Sequence, residues 1–452
     1  MPATKILVYG DTHVDDRMQL AGMQPMTAEG EPLVLAQARA MMTWVGQVAR
    51  ERGAQLILHT GDVYERPRPS PAAEDVVVRA LVDHGEVAPE LVLLGNHDRP
   101  IGYGTHALEP LKSLRPERIQ VADAPGIWEL WSIRDGRVTH LLPGRVDGGA
   151  IVTQGSGTLS GDRLLCAVVT LPYPARSGLA AESESRDATN AAITAALDGL
   201  LKSLTMLAGR YRAAGVPVVL AGHGTLRGAR YDSYQTVPLS DVGIPTETFD
   251  QYAVALFGHL HLRQPAPGAG WPSHYIGSPD RQDFGEEGGD HGVSLVTLTE
   301  DGRVEVEFIA YPAARRFLTV DVAAVLAQAG VASSGQTQLA LGEVARNDSP
   351  AAILGLTEAD RERVVMRIAG SVTDEDLRLA TALVRRWRTS GWTVANACTV
   401  ERQSRARVEV DAGASPFARG IAAVFAARPD LVPHRDEVLA QIGELRPTWG
   451  AL

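Results

Sequence analysis

Five short clusters of aspartate, asparagine and histidine could together hold metal ions. Each cluster follows a short apolar run, and glycine precedes every one of them. Carboxylates, imidazoles and one amide oxygen form a mixed ligand set that suits divalent ions such as Mn²⁺, Fe²⁺ or Zn²⁺. In chain order the clusters are Asp11-Thr12-His13, Gly61-Asp62, Gly95-Asn96-His97-Asp98, Gly222-His223 and Gly258-His259-Leu260-His261.

The spacing inside two clusters lets paired side chains serve one site. Asp11 and His13 lie two residues apart, as do His259 and His261, and residues i and i+2 of an extended segment point the same way. The carboxylate of Asp62 could bridge two cations, which lie about 3.5–4 Å apart in two-metal hydrolases. Each motif alone is weak, because a strand-end aspartate or a lone histidine usually has a structural role. The ordered set is far more specific than any member.

The elements that must position these clusters are strands. Runs such as KILVYGD, LILHTGD and LVLLGNHD read as strands covered on both faces. Helical stretches at 33–52 and 72–83 separate the first three, which predicts an α/β fold with parallel strands. In open α/β sheets ligands bind beyond the carboxyl ends of the strands. All five clusters are therefore expected to converge on one site.

The rest of the chain predicts more strands and a smaller second domain. The composition changes near Tyr311, after which no motif-bearing segment occurs and strands alternate with amphipathic helices. We therefore expect a first domain over residues 1–313 and a smaller α+β domain over 314–452, with two helices closing the chain. Further elements predicted within the first domain are strands at 127–133, 138–142 and 164–171 and a long helix at 185–212.

The amino-acid composition excludes some classes of function. The chain has 452 residues with a formal net charge of −11, so it is not a generally basic nucleic-acid coat protein. A local basic or metal-built site remains compatible with this charge. Two cysteines, Cys166 and Cys398, are too few for a disulfide framework. The N-terminus lacks the features of a secretion signal, and no run reaches the roughly 18 apolar residues of a membrane helix. We expect a soluble cytoplasmic protein that is not membrane-bound.

The series of motifs resembles the calcineurin-like metallophosphoesterases. A narrower resemblance is to the SbcD-type DNA repair nucleases, through LLCAVVTLPYPARSG, VVLAGHGTLRGA and HYIGSPDRQDFGEEGGDHGVSLVTL. The C-terminal part is similar to the capping domain of that family in VVMRIAG and VERQSRARVEV. The resemblance implies a two-sheet β-sandwich flanked by helices, followed by a smaller α+β capping domain.

The same resemblance assigns roles to individual residues. It implies two divalent ions, foremost Mn²⁺, with Mg²⁺, Fe²⁺ or Zn²⁺ as alternatives. His97 would act on the phosphate or the leaving group, and Asp98 would orient its imidazole. Seven ligands are implied: Asp11, His13 and His261 for one ion, Asn96, His223 and His259 for the other, and Asp62 as the bridge.

The function implied by the resemblance is metal-dependent hydrolysis of DNA phosphodiesters at ends or hairpins, in repair or recombination. The partners would be DNA, an SbcC-like coiled-coil ATPase and a second copy of the chain, joined through helices near 72–83 and 105–114. Such a protein would be associated with the nucleoid when it is bound to DNA. Arginines that follow the motifs are candidates for phosphate contacts. They are Arg17, Arg66, Arg68, Arg99, Arg227, Arg230 and Arg263.

Two alternatives keep the same motifs. One is a phosphoesterase for nucleotides or small phosphodiesters, which would not need the IGSPDRQDFGE segment or an appended capping domain. The other is a non-catalytic DNA-end scaffold whose metals are structural. Closed structural sites leave no catalytic opening, whereas these clusters are expected to be exposed at strand ends.

Overall fold

Two β-sheets stacked face to face form the centre of the first part of the chain. The computed structural model describes residues 3–99, 105–115, 117–133, 138–147, 150–152, 162–174, 186–231, 243–329 and 349–400. Helices flank the two sheets, and a third, smaller sheet follows in the C-terminal part. The predicted α/β sandwich flanked by helices is therefore confirmed.

The first sheet carries the first three motifs. Its six strands run in the order β15-β14-β1-β2-β3-β4, and β1 to β4 are parallel to one another. Because they are parallel, the carboxyl ends of β1, β2 and β3 lie at one edge. The strands are β1 (Thr4–Tyr9), β2 (Leu56–His59), β3 (Glu90–Leu93), β4 (Ile119–Ala122), β14 (Gly292–Leu298) and β15 (Val304–Ala310).

The second sheet carries the two later histidine motifs. Its order is β12-β13-β11-β10-β9-β5-β6, with β9, β10, β11 and β13 parallel. The predicted strands at 127–133, 138–142 and 164–171 all occur here. The strands are β5 (Gly126–Ile133), β6 (Val138–Pro143), β9 (Arg163–Leu171), β10 (Val218–His223), β11 (Val254–Gly258), β12 (Gln264–Pro265) and β13 (His274–Tyr275), while β7 (Arg145–Asp147) and β8 (Ala150–Val152) form a separate hairpin.

Three long helices cover the outer faces of the sandwich. They are α1 (Leu33–Arg52), α2 (Pro71–Gly85) and α3 (Arg186–Ala213), and each matches a predicted helix within a few residues. The helix expected near 105–114 is instead a short 3₁₀ turn at Glu109–Ser113. The proline at its second position and its five-residue length limit it to a single tight turn.

The apolar face of α2 packs inward. Val76, Val77 and Leu81 are buried in a cluster with strand residues of the first sheet. The outward face carries Glu74 and Arg79, which are charged and exposed. The VVVRALV stretch therefore belongs to the core, so any dimer contact through α2 would use its polar face.

The main core lies between the two sheets. Side chains such as Ile6 and Leu58 of the first sheet meet Val168 and Leu256 of the second, and all four are fully buried. Burying such a side chain contributes about 1.5–3 kcal/mol relative to leaving it exposed. This core fixes the two sheets against each other, and with them the strand ends that carry the motifs.

The C-terminal part has a parallel three-stranded sheet and a hydrophobic cluster of its own. Trp387, Trp392 and Ile368 are buried in this cluster. A division at residue 313 agrees with this cluster and stays a prediction, and the predicted closing helices lie outside the described residues. The elements are β16 (Arg316–Asp321), β17 (Val364–Val372), β18 (Thr393–Val400), α4 (Val322–Gln328), α5 (Pro350–Leu354) and α6 (Asp374–Thr389).

One stretch of α3, Ala191–Ala213, is long and apolar enough to cross a membrane. A single such helix is weak evidence, since a helix that covers a protein core has the same composition. Leu197, Leu201 and Ala208 of α3 are buried against the second sheet. About 28% of the apolar stretch is buried in this way, so these contacts account for part of its apolar character.

Candidate metal centre

The five motifs meet at one edge of the sandwich, as the sequence predicts. Strands β1, β2 and β3 of the first sheet end there, and so do β10 and β11 of the second. At this edge, three groupings of aspartate and histidine each have their ligand atoms within 4.8 Å of one another. They are Asp11 with His13 and His261, His13 with Asp62 and His97, and Asp62 with His223 and His259.

The first grouping places two imidazole nitrogens face to face. Nε2 of His13 lies 3.1 Å from Nε2 of His261. Each Nδ1 faces a carboxylate, at 2.8 Å from Glu65 and 2.6 Å from Glu286, so the ring proton belongs on Nδ1. In the neutral rings the two Nε2 lone pairs then oppose each other, and either a proton or a metal cation relieves this contact. Within the described residues, the buried Oδ2 of Asp11 has no hydrogen-bond partner, and it can serve the same cation.

The grouping of Asp62 with His223 and His259 also brings acceptors together. Nδ1 of His223 donates to the carbonyl oxygen of Thr60 at 2.8 Å, which leaves its Nε2 without a proton in the neutral ring. That Nε2 lies 3.0 Å from Oδ1 of Asn96 and 3.2 Å from Oδ2 of Asp62. Nδ1 of His259 lies 2.8 Å from the same amide oxygen. Converging lone pairs of this kind fit a divalent ion, and without one they require added protons.

Asp62 lies between His13 on one side and His223 on the other. Its Oδ2 is 3.2 Å from Nε2 of His223 and 3.8 Å from Nε2 of His13, while its Oδ1 accepts the backbone N–H of His97 at 2.8 Å. Burial opposes its ionisation, but the neighbouring histidines hold the pKa of Asp62 well below its usual range. A carboxylate that is charged and central has the position that a bridging ligand needs. The residues present therefore fit two cations.

Protonation is how the isolated protein relieves these lone-pair contacts. Burial alone would lower the pKa of His223, but the Asp62 carboxylate raises it to about 9. Burial likewise opposes the charge on His261, and Glu286 raises its pKa to about 10. Protons at these positions compete with cations for the same nitrogens.

The backbone at the ligands is held in an unusual conformation. Four ligand residues have positive φ values, in the left-handed region that residues other than glycine rarely adopt. They are Asp11 (51°), His13 (45°), Asp62 (54°) and His259 (95°). Hydrogen bonds hold this geometry, for example from the N–H of Asp11 to the carbonyl oxygen of Gly61 at 2.9 Å and from the N–H of His259 to Oδ1 of Asp11 at 2.8 Å. Such strain clusters at functional sites, where surrounding contacts maintain it.

Two of the motif glycines are required for different reasons. Gly61 has a φ of 107°, and a Cβ there would lie 2.5 Å from Nδ1 of His223. Gly95 has no such backbone requirement, but a Cβ there would overlap both the backbone nitrogen and Oδ1 of Asp62. The glycines thus let the motif loops pack directly on the ligands of neighbouring strands.

His97 lies at the mouth of the site and is 37% exposed. Its Nδ1 contacts the carbonyl oxygen of Glu65 at 2.9 Å. The orienting role expected of Asp98 is therefore filled here by the Glu65 main chain. Asp98 is fully buried, and burial together with Asp62 raises its pKa to about 7. Its carboxylate accepts three backbone N–H groups, those of Val63, Tyr64 and Gly95, and so fixes the loop rather than the ring.

Sequence reasoning missed two carboxylates, Glu65 and Glu286. Each faces the Nδ1 of a histidine whose Nε2 points into the site. Glu65 follows Asp62 by three residues, and Glu286 ends the IGSPDRQDFGE segment. Neither has a spacing that predicts such a contact, because the partner histidine is distant in sequence for both.

The seven candidate arginines differ in their surroundings. Arg17, Arg66, Arg68, Arg227 and Arg230 are exposed. Arg66 is paired with Asp15 at 3.1 Å, and Arg99 lies partly buried near the carbonyl oxygen of Asp123. The guanidinium of Arg263 lies over the rings of Trp271 and Phe308, 4.4 and 4.8 Å from their centres, so its plane is engaged by aromatic groups.

Comparisons with known proteins point to one family. A sequence profile described as calcineurin-like phosphoesterase matches residues 4–263, which is more than half of the chain and includes all five motifs. A curated relative from Rhodobacter capsulatus, named as the D component of the nuclease SbcCD, is 27% identical over 58% of this chain. The match spans 61% of that relative's length.

Solved structures add only general similarity. A dimetal phosphatase from Danio rerio is 12% identical, with a TM-score of 0.37 over 69% of this chain and 100% of its own. A protein from Thermus thermophilus is 13% identical, with a TM-score of 0.32 over 68% of this chain and 99% of its own. At such scores these structures support no assignment of detailed geometry or substrate.

Proposed function

This chain belongs to the calcineurin-like phosphoesterase family, and from that premise we propose that it is a metal-dependent DNA nuclease of the SbcD type. It is a metal-dependent phosphoesterase by family. The finer proposal is that it hydrolyses phosphodiester bonds at DNA ends or hairpins, with Mn²⁺ as the preferred ion. Its cellular context would be DNA repair or recombination in the cytoplasm, at the nucleoid when it is bound to DNA.

The observation that carries the proposal is the pair of imidazoles facing each other across 3.1 Å, with a buried carboxylate beside them. We assign Asp11, His13 and His261 to one ion. We assign Asn96, His223 and His259 to the other, with Asp62 between them. These residues would hold two ions, which when bound would supply positive charge for the phosphodiester oxygens and acidify a water molecule.

His97 is proposed as the general acid. Its Nδ1 is engaged by the Glu65 carbonyl oxygen, which keeps a proton there and leaves Nε2 to exchange a proton with the leaving oxygen. Burial lowers the pKa of His97, but the Asp62 carboxylate and the Glu65 carbonyl raise it overall. Without bound cations, a raised pKa keeps a larger fraction of the imidazole protonated at neutral pH, the form that a general acid requires.

The choice of DNA over a small phosphodiester is supported by the relative that is named as a component of the nuclease SbcCD. The IGSPDRQDFGE segment and the C-terminal part support it as well, since a small substrate needs neither. We propose an SbcC-like ATPase and a second copy of the chain as partners. Exposed arginines around the site, among them Arg68 and Arg230, would contact DNA phosphates.

The experiment compares linear duplex DNA, hairpin DNA and a small chromogenic diester as substrates in Mn²⁺. We expect the purified chain to degrade DNA, and expect His97→Ala to keep both ions yet lose cleavage by about 100-fold or more. The matched control is His140→Ala, a histidine of β6 far from the motifs in sequence. Turnover of the small diester without DNA cleavage would favour the small-substrate alternative. Metal-loaded protein inert on every diester would favour the scaffold.

The salt dependence of DNA binding tests whether the exposed arginines contact phosphates. Each phosphate contact lowers the slope of log affinity against log salt by about 0.9 for duplex DNA. Replacing Arg66, Arg68 and Arg230 together should therefore flatten that slope by about 2 to 3. An unchanged slope would exclude these three as phosphate contacts.

A further inference from the structure

Glu286 is a buried glutamate whose two oxygens are both engaged. It closes the 3₁₀ turn Phe284–Glu286 and is only 5% exposed. Oε1 lies 2.6 Å from Nδ1 of His261. Oε2 accepts the backbone N–H of Gln282 at 3.0 Å and the hydroxyl of Ser278 at 3.3 Å. The carboxylate is therefore fixed in place and directed at the imidazole.

The segment that carries Glu286 is also anchored on the C-terminal part. The neighbouring Glu287 accepts the backbone N–H of Thr319 in β16 at 2.8 Å and its hydroxyl at 2.6 Å. The ring of Phe284 lies 4.9 Å from that of Phe317, edge to face. A turn held on one side by β16 and on the other by its own backbone leaves the carboxylate little freedom to shift.

A further ion pair fixes the start of the same segment. The carboxylate of Asp280 accepts two hydrogen bonds from Arg315, one from Nε at 2.7 Å and one from the backbone N–H at 2.6 Å. Both side chains are buried. Arg281 donates to the carbonyl oxygen of Arg315 at 2.7 Å. The segment from Asp280 to Glu287 is thus pinned to residues 315–319 at both of its ends.

We propose that Glu286 is a positioning residue of the metal centre. Its carboxylate holds the proton of His261 on Nδ1 and turns Nε2 towards the ion. The inference rests on the proposed function, because it requires His261 to bind a metal. A carboxylate behind a ligating imidazole selects the ring tautomer, fixes the ring plane and increases the basicity of the ligating nitrogen. Without it the neutral ring could place its proton on Nε2, where it would block the ion.

Glu65 occupies the matching place behind His13, but the two pairs differ. The side chain of Glu65 is 33% exposed, whereas that of Glu286 is 3% exposed. Water can replace an exposed carboxylate as the acceptor of a ring proton and cannot readily replace a buried one. Loss of Glu286 should therefore affect metal binding more than loss of Glu65.

Titration of the full chain with Mn²⁺, followed by calorimetry, tests the proposal without any substrate. Replacing such a carboxylate typically weakens metal binding by about 10- to 100-fold. We expect Glu286→Gln to weaken one of two Mn²⁺ sites by that factor and Glu286→Asp to recover part of it. The matched control is Glu129→Gln, a fully buried glutamate that accepts hydrogen bonds from Tyr211 and Trp131 and should leave both affinities unchanged.

Wild-type affinity at both sites in Glu286→Gln would overturn the proposal. So would an equal loss in Glu129→Gln, because it would show a general effect of neutralising a buried glutamate. This test can fail independently of the test of the proposed function. Two tight Mn²⁺ sites without DNA cleavage would refute the nuclease, whereas cleavage with an unaffected Glu286→Gln variant would refute only the positioning role.

A second measurement needs no folded variant of Glu286. In the wild-type chain labelled with ¹⁵N at histidine and loaded with Zn²⁺, we expect the His261 ring to carry its proton on Nδ1 and to bind through Nε2. Its resonance is assigned by its loss in His261→Gln. A ring protonated on Nε2 would overturn the proposal even if every Glu286 variant failed to fold.

Discussion

Gly95→Ala adds one methyl group where two motif loops pack tightly against each other. The new Cβ would lie under 3.0 Å from both the backbone nitrogen and Oδ1 of Asp62, whereas ordinary contacts of this kind lie at 3.4–4 Å. The backbone nitrogen cannot rotate away as a flexible side chain could. The two loops must therefore separate by a distance on the order of 1 Å, the scale at which misplacement costs about 100-fold in rate.

Because Asp62 lies between the two proposed sets of metal ligands, this shift should disturb both ions. We expect Gly95→Ala to weaken Mn²⁺ binding, to slow diester hydrolysis by about 100-fold and to destabilise the fold by about 1–3 kcal/mol. Calorimetric Mn²⁺ titration and hydrolysis of a chromogenic diester measure the first two effects. Thermal unfolding followed by circular dichroism measures the third.

The matched control is Gly199→Ala, in the middle of α3. A Cβ there meets no atom within 4 Å, and alanine favours a helix over glycine by about 0.5–1 kcal/mol. This control should keep metal binding and gain a little stability. Wild-type Mn²⁺ affinity and hydrolysis in Gly95→Ala would refute the reasoning that tight loop packing holds Asp62 in place.

Three more predictions concern buried polar groups. Both ring nitrogens of His84 face acceptors, at 3.0 Å from Glu90 and 2.8 Å from a backbone carbonyl, and although burial opposes the charge, Glu90 raises its pKa. The stabilisation by protonated His84 is fully present below pH about 6.5 and is lost as pH rises through the folded-state pKa. The urea midpoints of wild type and His84→Gln should therefore differ more at pH 6 than at pH 9. Asp280→Asn leaves Arg315 buried without its counter-charge and should cost about 3–5 kcal/mol by urea unfolding, a loss that the double change with Arg315→Met should reduce. Asp98→Asn turns an amide N–H towards backbone donors and should cost about 1–3 kcal/mol, measured in the same way.

The sequence predicted the architecture of the site because its signal is local. Each motif follows an apolar run, so both the strands and their polar ends could be identified from short windows. Parallel connection then required the ends of β1, β2 and β3 to meet at one edge. The long helix α3 and strands β5, β6 and β9 followed from the same periodic patterns.

Other features depend on contacts between distant segments and could not be read in this way. Glu286 meets His261 only because the segment after β13 folds back over the site. Asp98 was expected to orient His97, but three backbone N–H groups surround its carboxylate instead. The apolar residues of α2 would suit either a dimer surface or a hydrophobic core. Only the structure shows that they pack against the first sheet.

Nucleotide release from end-labelled duplex DNA, by wild type and Asp62→Asn side by side, tests the central proposal most directly. Mn²⁺ and protein concentration are held equal, and a chelator control is included. We predict Mn²⁺-dependent release by the wild type, and loss of that release in Asp62→Asn, because the carboxylate between the two sets of ligands is gone. Equal release by both proteins, or none from wild type that holds two Mn²⁺ ions, would contradict the proposal.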